Sequence, residues 1–84
     1  MKKIITSIIG TGRRATGWAD FLRENDNFVL KSVSSRNEER GINFAKHHNC
    51  KFAHDTKEIL QDNKVDLIII SSSPHRHILA VNFA

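Results

Sequence analysis

Along the chain, short apolar runs alternate with segments in which apolar positions recur every three or four residues. Ile4–Ile9 is rich in isoleucine, ends at Gly10, and predicts a buried strand. Residues 14–24 place Ala15, Trp18, Ala19 and Leu22 at helical spacing, so that helix carries one apolar face. Asn25-Asp26-Asn27 predicts a turn, and Phe28–Ser34 a second strand that Lys31 and Ser32 make less apolar than the first. Asn37 predicts the N-cap of a helix running through His48. Glu38 and Glu39 favour its positive first turn, and Ile42 and Ala45 form its apolar stripe. Residues 51–53 predict a brief third strand. Asp55, with Glu58 three residues on, predicts a capping box opening a helix that carries Ile59 and Leu60 and ends near Asn63. "VDLIIIS", residues 65–71, is the strongest strand signal, apolar at nearly every position as in a strand covered on both faces of a parallel sheet. Residues 72–74 predict a loop, and residues 75–84 a last helix.

The order β-α-β-α-β-α-β-α predicts an α/β fold, a doubly wound parallel sheet with right-handed crossovers. The expected strand order is 3-2-1-4, the first half of a Rossmann, or dinucleotide-binding, fold. Residues 1–84 are expected to form one such domain, truncated and with no second domain, and a chain this short buries only about 60–65% of its unfolded surface. In a complete fold the fourth strand is interior. Here nothing follows the last predicted helix, so the edge of Leu67-Ile68-Ile69-Ile70 is expected to be open, and an open apolar edge invites pairing. Either the domain is truncated, or a homodimer or a partner domain covers that edge.

Composition narrows the setting. Thirteen Lys and Arg against nine Asp and Glu give a net charge of +4, which suits an anionic ligand. The basic residues are scattered among acids without aromatic interleaving, which argues against nucleic acid. Cys50 stands alone, so no internal disulfide is possible, and a reducing cytoplasm is the simplest location. The opening "MKKIITSIIG" imitates a signal peptide, but Thr6 and Ser7 interrupt its apolar part and Arg13 and Arg14 follow rather than precede it. No apolar run approaches the length that spans a bilayer, and no membrane partner is expected.

Chemistry concentrates at the end of the first strand. Gly10-Thr11-Gly12-Arg13-Arg14-Ala15 fits G-x-G-x-x-G/A between a strand and a helix. The first glycine permits a tight turn, the second lets backbone approach a pyrophosphate, and the small last residue lets helix and strand pack closely. Free amides at the helix start then face the anion. The competing reading makes these glycines purely structural. The second strand ends in Ser34-Ser35-Arg36, where an acid would instead accept hydrogen bonds from the ribose of NAD. Ser35 can donate to a phosphate and Arg36 can grip one with paired hydrogen bonds, which favours NADP while leaving NAD possible. Alternatively, Arg36 is a solvated loop residue and Ser35 and backbone hold the ribose.

With these residues, the sequence resembles the N-terminal domain of the Gfo/Idh/MocA family of NAD(P)-dependent oxidoreductases. The resemblance rests on "IIGTGRRATGW", "SVSSRNEER", "VDLIIIS" and Pro74-His75-Arg76-His77, and extends over almost all of the chain. The last stretch matches a Pro-x-x-His pattern after strand four. Family members commonly carry Arg at the place of Arg13 and often His at the place of Trp18, so Trp18 is a departure. The resemblance implies hydride transfer between a nicotinamide cofactor and a sugar-like hydroxyl or carbonyl. It places the catalytic lysine in a Glu-Lys-Pro motif that this sequence lacks, and substrate on a second α/β domain, so no catalytic residue is assigned here.

The expected cofactor residues are therefore Gly10, Thr11, Gly12, Arg13, Arg14, Ala15, Ser35, Arg36, Ser72, Pro74 and His77. Pro74 and His77 lie either beside the nicotinamide half of the cofactor or in a loop stop and a first helical turn. A metal site from His75 and His77, or from His47, His48 and His54 with Cys50, is not expected. Cys50 and Trp18 read as packing residues. Two functions stay open: the cofactor domain of an oxidoreductase, and a non-catalytic nucleotide-binding module that senses occupancy.

Overall fold

The apolar runs become the strands of one sheet. The structure is a computed structural model that describes residues 3–71 and 77–80. Its elements are β1 (Ile4–Ile9), α1 (Arg13–Glu24), β2 (Phe28–Ser34), α2 (Glu38–His47), β3 (Lys51–Phe52), α3 (Thr56–Leu60), β4 (Leu67–Ile70) and β5 (His77–Ala80). The sheet runs β3-β2-β1-β4-β5. The first four strands are parallel in the expected 3-2-1-4 order.

Two expectations are corrected at the end of the chain. Residues 77–80 are not helical but form β5, which pairs antiparallel with β4. The β4 edge is thus not open: Leu67 pairs with Ala80 and Ile70 with His77. The physical reason is the unpaired row of amides and carbonyls along an isoleucine-rich strand, which a nearby segment satisfies by adding to it. Short apolar runs such as Ile78-Leu79-Ala80 do not distinguish helix from strand by periodicity, so this tertiary demand decides.

Alternation along the strands builds a core on each face of the sheet. Ile8, Val33 and Ile69 pack on one side with Ala15, Ala19 and Leu22 of α1 and with Phe44 and Ala45 of α2. Ile68, with Ile5, Ile9 and Ile70 around it, packs on the other with Ile59 of α3 and with Ala53 and Val65. Ile8, Ile68 and Ile69 are at most 2% exposed, and burying each such side chain stabilises the fold by about 1.5–3 kcal/mol. Trp18, expected in the core, is half-buried against the first cluster and meets Phe21 edge to face.

Polar residues inside the sheet have partners. Ser7 and Ser32 face each other on β1 and β2 with their hydroxyls 2.7 Å apart. Asn37 caps α2 as expected, its Oδ1 accepting from the Arg40 amide at 3.0 Å. Asp55 caps α3, accepting from the Lys57 amide at 2.9 Å, while its own amide donates to Glu58. That helix stops at Leu60, short of the expected Asn63, and an Asp62 carboxylate just beyond it pairs with Lys31.

Candidate functional site

Parallel register brings the carboxyl ends of the central strands level. Ile9 stands opposite both Ser34 of β2 and Ile70 of β4. Just beyond, the Gly10 amide donates to the Ser34 carbonyl at 2.8 Å and the Ser71 amide to the Ile9 carbonyl at 2.9 Å. The loops after β1, β2 and β4 therefore leave from one rim. Strand order reverses between β1 and β4, and ligands of open α/β sheets bind in the crevice at that point.

The two motif glycines answer different needs. Gly10 is buried with φ 106°, a conformation that favours glycine, so the turn itself requires it. Gly12 is exposed and extended, with φ 178°, which any residue can adopt. Among the described residues, a Cβ built at Gly12 would meet nothing within 4 Å. No packing among those residues asks for glycine there. A bare backbone at that point leaves room for something from outside to come close.

Gly12 is also the N-cap of α1 and supplies no side chain to its first-turn amides, and that turn contains no acid. By contrast, α2 is capped by Asn37 with Glu38 and Glu39 in its first turn, and α3 by Asp55 with Glu58. The positive end of α1 thus has neither a capping side chain nor an acid of its own first turn. Arg13 is the first residue of α1, though its side chain lies outside the description, and Arg14 is exposed. Ala15 is fully buried, and its small size lets α1 lie close to the sheet as the motif predicts.

The end of β2 is tied to this turn. Thr11 Oγ1 donates to Ser35 Oγ at 2.7 Å, and Ser35 Oγ also accepts from the Asn37 amide at 3.2 Å. Arg36 is exposed, and among the described residues its guanidinium has no hydrogen-bond or ion-pair partner. Thr11 and Ser35 are thereby joined at one rim, with Gly12 and Arg36 their neighbours along the chain.

Sequence reasoning overlooked Gly41. A Cβ there would lie 2.2 Å from Phe52 Cε1 and 3.0 Å from Ser35 Cβ, so glycine lets α2 press onto β3 and onto the Ser35 loop. No local pattern announces this, because the neighbours come from other elements.

Ser72 and Pro74 lie outside the described residues. The backbone of His77 sits opposite Ile70, at the carboxyl end of β4, in a strand rather than a first helical turn. Among the described residues, no group of three His, Cys, Asp or Glu is placed to hold a metal ion. Burial pushes the Cys50 thiol up to about 11, which makes it a poor nucleophile.

The geometry of an exposed, uncapped glycine turn at the switch point accompanies a match to known sequences. Residues 4–83 match the family model described as "Oxidoreductase family, NAD-binding Rossmann fold". The chain belongs to the Gfo/Idh/MocA oxidoreductase family. It is the nicotinamide-dinucleotide-binding Rossmann portion of that family. No curated protein matches its sequence significantly.

Solved structures agree. A protein from Desulfitobacterium hafniense DCB-2, assigned as an NADPH-dependent oxidoreductase, is 26% identical with a TM-score of 0.80 over 86% of this chain. One from Thermotoga maritima, assigned as a dehydrogenase, is 28% identical with a TM-score of 0.78 over 83%. The fold is shared at 18% identity and a TM-score of 0.71, over 80% of this chain, with KijD10, a 3-ketoreductase from Actinomadura kijaniata in complex with NADP and TDP-benzene. This chain covers 21% of each of those chains. Among the described residues, no helix is long and apolar enough to cross a membrane.

Proposed function

We propose that this chain is the NADP-binding front of a cytoplasmic oxidoreductase acting on a sugar-like hydroxyl or carbonyl. Residues 1–84 constitute its cofactor domain. Substrate binding and the catalytic lysine belong to a second α/β domain. The observation that carries the reading is Gly12, a helix cap with no side chain, where an added Cβ meets none of the described residues, at the head of a helix with no acid in its first turn.

The residues fit a dinucleotide. The first-turn amides of α1 are suited to the pyrophosphate, with Gly10 shaping the turn, Gly12 leaving approach space and Ala15 seating the helix. Arg13 and Arg14 add positive charge. Ser35 and Arg36 are suited to the 2′-phosphate of NADP, since neither residue repels it and Arg36 has its fork of donors free among the described residues. Ser72, Pro74 and His77, which follow β4 in the sequence, are assigned to the nicotinamide half. A nicotinamide cofactor supplies hydride exchange with the substrate carbon. The chain's own residues bind and orient it.

Titration with NADP and NAD, with Arg36→Ala alongside, tests the cofactor choice. Losing a charge-assisted contact costs about 1.5–3 kcal/mol, so Arg36→Ala should weaken NADP by roughly ten- to a hundred-and-fifty-fold while NAD changes little. An unchanged affinity ratio would remove the 2′-phosphate assignment. Reduction of a sugar-like carbonyl once a second domain is supplied separates the enzyme reading from the nucleotide sensor.

A further inference from the structure

We infer that Thr11 is a positioning residue for cofactor choice, acting through Ser35 rather than by touching the cofactor's phosphate itself. The inference rests on the dinucleotide reading above and concerns which way one hydroxyl is turned.

A serine hydroxyl has two lone pairs and one proton. Ser35 Oγ accepts from the Thr11 hydroxyl at 2.7 Å and from the Asn37 amide at 3.2 Å. Both lone pairs are engaged, so its proton is left to be donated elsewhere. Among the described residues, Ser35 donates to no acceptor. Ser35 is half-buried, and its Cβ stands where Gly41 alone leaves room for it, 3.0 Å from the position of an added Cβ. The side chain is held by two hydrogen bonds and by the close helix behind it, with the rotor fixed as a donor.

A fixed donor discriminates between the two dinucleotides. The 2′-phosphate of NADP only accepts at neutral pH and meets Ser35 in the state in which Thr11 holds it. The ribose 2′-hydroxyl of NAD can meet a donor through its lone pair, but it can no longer give its own proton to Ser35. Arg36 provides charge for the phosphate, whereas the Thr11–Ser35 pair provides hydrogen-bond polarity. The two contributions are separable.

Thr11→Val removes the hydroxyl at nearly constant volume and returns one lone pair to Ser35. The ratio of NAD to NADP dissociation constants should then fall by about two- to ten-fold, the range of a single neutral hydrogen bond. Thr11→Ser should keep the wild-type ratio. With adenosine 2′,5′-bisphosphate and 5′-AMP as probes, the same change should appear without any nicotinamide. In a Ser35→Ala background Thr11→Val should change the ratio no further, because the residue through which it acts is gone.

An unchanged ratio in Thr11→Val overturns the inference, as does an equal fall in the Ser35→Ala background. Thr11→Ala gives the same comparison if the valine variant does not fold. Wild-type protein that binds neither dinucleotide refutes the proposed function and this inference together. Wild-type binding of NADP with no effect of Thr11 refutes this inference alone.

Discussion

Gly12→Ala separates a glycine kept for a ligand from one kept for the fold. The added methyl meets no atom of the described residues within 4 Å, and the extended backbone there accepts any residue. Alanine is a poorer N-cap than glycine by about 0.5–1 kcal/mol. Replacing glycine also restricts the unfolded chain, which stabilises by about 0.4–1 kcal/mol. The two nearly cancel, so folding stability should shift by less than about 1 kcal/mol. Dinucleotide affinity should fall far more. A methyl in the approach path breaks at least one charge-assisted hydrogen bond to the pyrophosphate, a loss of about 1.5–3 kcal/mol, or roughly ten- to a hundred-and-fifty-fold in Kd. Gly41→Ala is the mirror experiment. Its methyl would sit 2.2 Å from Phe52, and overpacking of that kind costs about 1–3 kcal/mol of stability. Denaturant unfolding followed through Trp18, the single tryptophan, measures the first quantity, and calorimetric titration with NADP the second. Wild-type affinity in Gly12→Ala would refute the reasoning, and so would a stability loss matching that of Gly41→Ala.

Three further outcomes are expected. Burial, foremost, holds the His48 pKa below its ordinary 6.5, with His47 adding to the shift and Asp20, 3.9 Å away, opposing it. The folded state therefore favours the neutral ring. Its contribution is complete above the unfolded value and is lost as pH falls below about 6.5, levelling once the folded ring is protonated; His48→Leu should remove that part of the pH–stability profile, and identical profiles would contradict the assignment. Cys50, with its thiol pushed up to about 11, should react with a disulfide reagent at pH 8 much more slowly than a free cysteine until the chain is unfolded, and equal rates would show that it is accessible. The hydrogen bond from Lys31 holds the Asp62 carboxyl below its ordinary value, so Lys31→Ala should soften the loss of stability as pH drops below 4, as read from unfolding midpoints.

The sheet was legible because each parallel strand carries its own signal. Ile4–Ile9 and the isoleucines of β4 are continuous apolar runs, and the helices between them announce themselves by capping residues such as Asn37 and Asp55. Alternation then predicts a parallel sheet, and 3-2-1-4 is the order expected of a dinucleotide-binding fold. β5 was not legible, because its identity is set by the free edge of β4 rather than by its own four residues. The end of α3 was overextended because Gln61 and Asp62 are compatible with a helix until Asp62 is drawn to Lys31 on β2.

At the site, sequence located the glycine turn and the serine–arginine pair but not the bond that joins them. Thr11 and Ser35 are 24 residues apart, and only the β1–β2 register, with its irregularity between Thr6 and Ser7, brings them together. Gly41 escaped for the same reason. Its constraint comes from Phe52 and Ser35, neither of them a helical neighbour. His48 follows α2 as an ordinary polar residue in sequence, and its burial against Phe44 and beside Asp20 emerges only from packing.

The central claim is that the amides opening α1 receive the cofactor's pyrophosphate. Amide NMR shifts of the labelled protein during titration with NADP test it residue by residue. The account predicts saturable shifts concentrated at Gly12, Arg13, Arg14 and Ala15, with Ser35 and Arg36 responding to NADP and less to NAD. Saturable shifts that leave residues 10–15 unmoved and cluster elsewhere on the chain would contradict it.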